Sequence, residues 1–274
     1  MTLAGLLSQL LQLAIALALA PLLVGWVNMC RAWLQNKSAP SLLLPYRTIR
    51  KLMSKDAVVA EHASPLFRTT PYIVFGAMCC AAAIVPSLST DLPFASAADA
   101  IALVGLFALA RVFIALAAMD IGTAFGSMGA RREMFVGFLA EPALLMVLLA
   151  ENARIPVDNP ATHLELTMIH EAMVLEYSAR HLALIEWASA IKLYAYMTIG
   201  IALFVPWGIA EGSDWGALPF ALLALVVKLA IAGAGLALIE TVSAKFRVFR
   251  APEFLSMAFL LAVLGMLIHF LVQS

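Results

Sequence analysis

The chain has 274 residues with 17 basic and 17 acidic side chains, so its formal net charge is zero. Hydrophobic residues make up 64% of it, charged residues only 12%, and the mean hydropathy is +0.97. Soluble domains carry about 25% charged residues. This composition excludes a soluble globular domain. The balanced charge gives no sign of the basic surface that a nucleic-acid-binding protein needs, so no nucleic acid partner is expected.

Long apolar runs predict an all-α, polytopic transmembrane helix bundle. The hydrocarbon core of a bilayer, roughly 30 Å thick, is crossed by about 20 apolar residues in a helix. The runs of suitable length are Leu3–Val27, Pro71–Leu88, Ala100–Met119, Leu182–Trp207, Trp215–Ile239 and Phe254–Val272. A seventh run, Met134–Leu149, is shorter. We expect residues 1–274 to form a single integral membrane domain.

The distribution of Lys and Arg predicts the orientation of the helices. The basic residues cluster in the segments 30–69, 120–133, 150–180 and 242–253. The connections between them and both termini contain no comparable cluster. Because cytoplasmic loops carry the excess of Lys and Arg, these four segments are predicted to be cytoplasmic loops. Both termini are then expected outside, in a multi-pass protein of a prokaryotic cytoplasmic membrane.

The run Met134–Leu149 conflicts with this orientation. Basic segments flank it on both sides, so both of its ends are predicted on the same side of the membrane. One helix cannot cross the bilayer and return. Either the run is re-entrant, or about one helix and a loop are absent near Leu149–Ala150. The second interpretation restores the alternation of the later helices, so we expect eight helices natively and seven apolar segments here.

The first predicted loop contains a short basic helix, Pro45–Ser54. Ile49, Leu52 and Met53 lie at helical spacing on one side of it. Basic residues supply the charge in and just after this helix: Arg47, Arg50, Lys51 and Lys55. A basic amphipathic helix is typical of a surface that rests on anionic lipid. It also suits docking of an acidic cytoplasmic partner, and both interpretations can hold together.

The segment Glu151–Tyr177 combines prolines, carboxylates and apolar residues. Pro156 and Pro160 keep its start extended. Thr162 is placed to cap a helix, with Glu165 at the capping-box position. Carboxylates in this helix fall among apolar positions, where burial raises the pKa and lets an acid carry protons. The alternative is an ordinary solvated, charged helix.

Several ionisable residues lie inside the apolar runs. They are Arg111, Glu141, Lys192, Lys228 and Glu240, with Asp120 and Glu186 nearer the helix ends. A charge at the bilayer centre is expensive, so these side chains are expected to face the protein interior. They predict either a path for protons or ion pairs that hold the helices together.

Metal ligation is not predicted. His163 and His170 lack the spacing of a zinc-binding helix, because no second histidine follows His170-Glu171 at the required distance. Cys30, Cys79 and Cys80 have no ligand spacing either. No metal and no cofactor is expected in this chain.

Four stretches carry a family resemblance across nearly the whole chain. They are Pro45–Leu52 (PYRTIRKL), Met119–Glu133 (MDIGTAFGSMGARRE), Phe138–Pro142 (FLAEP) and Ile155–Ala179 (IPVDNPATHLELTMIHEAMVLEYSA). Together they resemble the membrane subunit of energy-converting group 4 nickel-iron hydrogenases and formate hydrogenlyases. That subunit is related to the H-type subunit 1 of respiratory complex I. The family has eight transmembrane helices, which agrees with the topology argument.

The resemblance implies a membrane anchor that couples redox chemistry in partner subunits to proton or sodium movement. The implied partners are hydrogenase-like large and small soluble subunits, antiporter-like membrane subunits and the lipid bilayer. The nickel-iron centre and the iron–sulfur clusters are expected in the partner subunits. The implied ion path contains Glu141, Asp158, Glu165, Glu171, Glu176, Lys192 and Lys228. The implied partner interface contains Arg47, Arg50, Lys51, Asp120, Arg131, Arg132 and Glu133.

Two alternatives remain open. A complex I subunit 1 that lines a quinone chamber belongs to the same superfamily, but its relatives carry a more acidic run where this chain has Asn159–Leu164. A stand-alone secondary transporter often contains inverted repeats, and no convincing internal repeat is present. Co-purification with soluble metalloprotein subunits would distinguish a coupling subunit from a transporter.

Overall fold

A computed structural model of the chain describes residues 3–59, 63–88, 100–140, 173–205, 207–208 and 216–242. Within these ranges the chain is all-helical. The helices are α1 (Leu3–Leu34), α2 (Leu44–Met53), α3 (Pro65–Ile84), α4 (Ala100–Asp120), α5 (Ala124–Ala140), α6 (Ala179–Phe204) and α7 (Leu218–Val242). Five of them, α1, α3, α4, α6 and α7, are long and apolar enough to cross a membrane. The predicted polytopic helix bundle is therefore confirmed.

Helix α6 is the central element of the bundle. It packs against α1, α2, α3 and α7. In its membrane-spanning window 72% of the residues are buried, compared with 28% for α7. The large side chains of Tyr194, Ile191 and Leu193 are almost completely buried there. A residue in the middle of α6 is therefore shielded from lipid and faces other helices.

Small residues allow α1 and α7 to pack closely. The Trp26 indole of α1 donates a hydrogen bond to the Ala230 carbonyl oxygen of α7 at 3.0 Å. A Cβ at Gly233 would lie only 3.0 Å from the Trp26 ring. Close approach over small residues is the usual basis of helix association in a membrane, where lipid and side chains are equally apolar.

Contacts between helix ends place the described parts of the basic segments at one end of the bundle, which we call the basic end. Arg31 at the end of α1 pairs with Glu240 at the end of α7, at 3.7 Å. The Asp120 carboxylate at the end of α4 accepts a hydrogen bond from the Ser64 N–H before α3, at 3.0 Å. Ser178, just before α6, bonds the backbone of residue 58. Helices α1, α4 and α7 therefore end where α3 and α6 begin.

Two predicted boundaries are corrected by the structure. Helix α3 begins at Pro65 rather than Pro71, because Ser64 caps it and Pro65 occupies the first helical turn, where a missing N–H is tolerated. The predicted loop 120–133 is mostly helix, since α5 already begins at Ala124. The predicted segments Phe254–Val272, most of Glu151–Tyr177, and the expected break near Leu149–Ala150 lie outside the described residues.

Candidate functional site: buried charges between α4, α5 and α6

A sharp turn brings α5 back along α4. Gly122 has a φ of +74°, which glycine adopts without strain. Thr123 follows and caps α5, since its Oγ1 accepts a hydrogen bond from the Gly126 N–H at 3.2 Å. A Cβ at Gly126 would lie 2.5 Å from the Ala118 carbonyl oxygen of α4. The two helices can approach this closely only with glycine here, and this contact sets the register of α5 against α4.

In that register a carboxylate of α5 meets a guanidinium of α4. Arg111 lies near the middle of α4, and its Nε is 3.5 Å from the Glu133 Oε1. Both side chains are buried, with 4% and 10% of their surface exposed. Two charges removed from water are stable only when they compensate each other. The pair therefore fixes α5 to α4 at a depth where isolated charges would be expensive.

A second cation approaches this pair from α6. Lys192 lies in the middle of α6. The Arg111 charge repels its ammonium group, and the Glu133 charge attracts it. Its Nζ is also 5.9 Å from the centre of the Tyr196 ring, within the range of a cation–π contact. Tyr196 in turn packs against Phe107 of α4. Three helices thus bring three ionisable side chains into one buried cluster.

A cavity connects the members of this charge cluster. Arg111, Glu133 and Lys192 line it together with Ser189 and apolar residues. Its volume, measured for the centre of a water-sized sphere, is about 30 Å³. Because one water needs roughly 10–15 Å³ by this measure, the cavity has room for about two waters. Water between these groups would allow a proton to pass from one to another.

The cavity also touches the end of the segment Glu151–Tyr177, which we call the acidic segment. Met173 lines it and is 1% exposed. The next residues are held at the basic end: Tyr177 stacks on Phe67 of α3, with the ring centres 4.0 Å apart, and its hydroxyl donates to the Phe67 carbonyl oxygen at 3.2 Å. The segment that precedes α6 therefore runs from the basic end to the charge cluster.

The Tyr177 hydroxyl stays neutral in this environment. Burial raises its pKa above the ordinary value of 10.0, and the nearby Asp120 charge raises it further. A hydrogen bond with the Thr70 side chain acts in the opposite direction and is smaller than the effect of burial. Tyr177 is thus a fixed hydrogen-bonding anchor and not a titrating group near neutral pH.

The other predicted lysine of the ion path, Lys228, lies at the opposite end of the bundle. Its Nζ donates hydrogen bonds to the carbonyl oxygens of Val205, at 2.8 Å, and of Trp207. These carbonyls follow the last turn of α6, where the helix dipole favours a cation. About 13 residues of α6 separate Lys192 from this point, or roughly 20 Å at 1.5 Å per residue. Lys192 and Lys228 therefore belong to different sites.

The remaining predicted ion-path residues are only partly described. Glu176 is exposed at the basic end. Glu141, Asp158, Glu165 and Glu171 lie outside the described residues. Of the predicted set, only Lys192 therefore lies in the charge cluster within the described part of the chain.

The structure divides the predicted interface residues into three groups. Arg47, Arg50, Lys51 and Arg131 are exposed, and Arg132 is half-buried. Asp120 is half-buried and caps the start of α3 through Ser64. Glu133 is 8% exposed and faces Arg111 inside the bundle, whereas a loop position was expected, and its assignment to a partner interface stays a prediction. The physical reason for the buried position is the early start of α5, which carries Glu133 into the bundle instead of leaving it in a loop.

Sequence reasoning missed the Arg111–Glu133 pair and the anchoring role of Tyr177. A signal for the pair existed, because a buried arginine requires an acid and Glu133 is the first carboxylate after the glycine-rich turn. No comparable signal marks Tyr177. Among the described residues, no group of three or more His, Cys, Asp or Glu is arranged to hold a metal ion.

Comparisons with known proteins agree with the resemblance. A family model described as NADH dehydrogenase matches residues 8–150 and 142–271. Formate hydrogenlyase subunit 4 of Escherichia coli (strain K12) is 29% identical over 285 residues, covering 89% of this chain and 92% of the relative. Hydrogenase-4 component C of the same organism is 29% identical over 259 residues, covering 80% and 81%.

The fold also matches a solved structure. A chain of the membrane-bound sulfane sulfur reductase, an archaeal respiratory membrane complex, superposes with a TM-score of 0.75 at 16% identity. The match covers 96% of this chain and 99% of that chain. At this identity the similarity establishes the fold alone.

The alignment lengths bear on the eighth helix. The alignment with formate hydrogenlyase subunit 4 has 285 positions, but 89% of 274 residues is about 244. About 40 positions of this relative thus have no counterpart here, enough for one spanning helix of roughly 20 residues and a loop. The two family-model matches overlap at 142–150, where the sequence predicts a break, and the absence of a family helix there stays a prediction.

Proposed function

Since the chain belongs to the NADH dehydrogenase family, we propose that it is the membrane-anchoring, ion-translocating subunit of a hydrogenase-type or formate hydrogenlyase-type respiratory complex. The two Escherichia coli relatives support this assignment, since both are named as parts of such systems. In this role the chain carries no redox chemistry of its own. It couples the redox reaction of the partner subunits to the movement of an ion.

The charge cluster is the observation that carries the proposal. Arg111, Glu133 and Lys192 come from three different helices and share one cavity at the middle of the bundle. A static pair would need only one cation and one acid. The additional lysine gives the cluster a second cation beside the shared cavity, and its ammonium group can donate a proton to water or to a neighbouring group there.

The proposed path reaches the cluster from the basic end. Met173 links the cavity to the acidic segment, whose carboxylates Asp158, Glu165 and Glu171 form the proposed entrance. Glu176 is exposed beside it. Glu141 follows Glu133 by eight residues in the sequence, a spacing at which a helix returns to roughly the same face, and it is proposed as a further carrier.

The described part of the cluster favours a proton over a sodium ion. It offers two cationic side chains and one carboxylate, and that carboxylate already faces Arg111. A sodium ion would have to approach two positive charges, which is electrostatically unfavourable at short range. A proton needs only a neighbouring acid, base or water.

The proposed docking site for the soluble subunits is the turn between α4 and α5 at the basic end, together with the first half of α5. Arg131 is exposed there and Arg132 is half-buried. Met119, Phe125 and Met128 are exposed next to them. Exposed aromatic residues, methionine and arginine are enriched in protein interfaces. The proposed partners are the hydrogenase-like large and small subunits, which hold the metal centres, while antiporter-like subunits contact the lipid-facing flank.

Replacing Lys192 tests the proposal. Lys192→Gln keeps a polar side chain of similar length but removes the proton that can move. In membrane vesicles that contain the intact complex, we expect ion uptake per electron transferred to fall about 100-fold, the lower end of the range for loss of a positioned proton-transfer group. The matched control is Lys55→Gln, which removes an exposed cation after α2. Unchanged ion uptake with Lys192→Gln in an assembled complex would contradict the proposal.

A further inference from the structure

Helix α2 lies on the flank of the membrane-spanning bundle and not beyond its end. The Tyr46 hydroxyl donates a hydrogen bond to the Ala18 carbonyl oxygen of α1. The Leu42 carbonyl, just before α2, lies so close to Gly25 that a Cβ there would overlap it. Ala18 precedes Arg31 by 13 residues, which places it roughly 20 Å along α1 from the basic end.

The inner face of α2 is fixed by packing. Ile49 is buried, and α2 contacts both α1 and α6. Burial also raises the pKa of the Tyr46 hydroxyl, which is held against α1. The exposed face cannot be turned inward without breaking these contacts, so its position and orientation are set by the bundle.

The exposed face of α2 combines cations with apolar side chains. Arg47, Arg50 and Lys51 are exposed along it. Leu44, in its first turn, is 47% exposed and lies on the same side as Arg47 and Lys51. The helix contains no acidic residue. On the side of a membrane protein, this pattern suits the boundary between acyl chains and phosphates, because long basic side chains can extend to the headgroups while their stems remain in an apolar layer.

We propose that this face of α2 is a binding site for anionic phospholipid. Arg47 and Lys51 lie one helical turn apart on the same side, and with Arg50 they bind the headgroup phosphate. Leu44 contacts the acyl chains. A soluble acidic partner would approach the basic end of the bundle, whereas the depth of Tyr46 and Leu42 along α1 places α2 beside the lipid.

The test compares two double variants of the protein extracted from membranes in mild detergent. The first, Arg47→Gln/Lys51→Gln, removes two cations of the proposed site. The matched control, Lys37→Gln/Arg180→Gln, removes two exposed cations elsewhere at the basic end. Native mass spectrometry measures binding of phosphatidylglycerol, with phosphatidylcholine as the uncharged comparison.

We expect wild type and control to prefer phosphatidylglycerol. The Arg47→Gln/Lys51→Gln variant should bind it about 30-fold more weakly, the factor for two basic residues near an anionic surface. Glycerol phosphate should not compete, because it lacks the acyl chains.

Three results would overturn the proposal. They are equal phosphatidylglycerol binding by both variants, no preference over phosphatidylcholine in the wild type, and full competition by glycerol phosphate. Loss of a co-purifying subunit with unchanged lipid binding would assign α2 to a protein partner instead. Thermal unfolding of both variants reports whether the exposed substitutions have altered the fold.

Discussion

Lys192 and Lys228 have the same appearance in the sequence but occupy different environments. Both are single lysines inside long apolar runs. Lys228 donates to two carbonyl oxygens beyond the last turn of α6, so these hydrogen bonds and the negative end of the helix dipole compensate its charge. Lys192 lines a cavity with a second cation and a carboxylate. Lys228 stabilises the end of α6. Lys192 belongs to a cluster in which one neighbouring charge repels it and the other attracts it.

The comparison shows that an intramembrane charge alone does not define an ion path. What matters is whether the bundle supplies fixed acceptors or a cavity with other titratable groups. Lys228 lines a different cavity, whose volume is only about 10 Å³ for the centre of a water-sized sphere. By the same measure the cavity at Lys192 is about three times larger, since it is about 30 Å³. Of the two lysines, Lys192 thus has more room for water and has other ionisable side chains beside it.

The largest effect on stability is expected from Glu133→Leu. This change leaves the buried Arg111 without the carboxylate that faces it, and breaking a buried pair costs about 3–5 kcal/mol. The double variant Arg111→Leu/Glu133→Leu should be closer to wild type, because it removes the uncompensated charge as well. Thermal unfolding in detergent measures both. A single variant that is no less stable than the double variant would show that the ion pair contributes little.

A smaller loss is expected from Gly126→Ala. The new Cβ would lie 2.5 Å from the Ala118 carbonyl oxygen, so α5 must shift away from α4. Forcing extra atoms into a packed contact costs about 1–3 kcal/mol. Gly105→Ala is the matched control in α4, because a Cβ there meets no atom within 4 Å. Equal melting temperatures for the two variants would mean that the turn does not set the register.

Lys228→Gln should lower stability by about 1–2 kcal/mol, because it weakens charge-assisted hydrogen bonds at the end of α6. Ion uptake per electron in vesicles should remain at the wild-type level, unlike that of Lys192→Gln. The two measurements on one variant separate the roles of the two lysines. Loss of ion uptake with unchanged stability would return Lys228 to the ion path.

The sequence predicted the spanning helices well because apolar length is a local property. The starts of α3 and α5 were missed for a common reason. Counting Lys and Arg treats Arg68, Arg131 and Arg132 as loop residues, although all three lie in helices. Helix starts are determined by caps such as Ser64 and Thr123, and these signals are easily outweighed by charge in an orientation argument.

The site was only partly predictable. Arg111 and Lys192 stand out as ionisable residues in apolar runs. Their meeting with Glu133 depends on how far α5 returns along α4, and that distance is set by contacts between backbone atoms at Gly126 and Ala118. Hydrophobic periodicity does not predict such a register. It indicates which face of a helix is buried, but not the axial position of that helix along its neighbour.

The smallest effect is expected from Tyr177→Phe, which tests how the segment beside the charge cluster is held. The ring stack on Phe67 should remain, and only the hydrogen bond to the Phe67 carbonyl is lost, at a cost of about 1 kcal/mol.

Burial raises the pKa of Tyr177 above its ordinary value of 10.0. The unfolded chain therefore releases this proton first, and the stability contributed by the neutral hydroxyl is present below pH 10 and is lost as the pH rises through the folded pKa. Phenylalanine does not titrate, so the difference in melting temperature between wild type and variant should narrow above about pH 10. Melting curves at pH 8 and pH 11 measure this, with Tyr72→Phe as the control because Tyr72 is 52% exposed. A difference that stays constant across this range would show that Tyr177 is not buried as the structure places it.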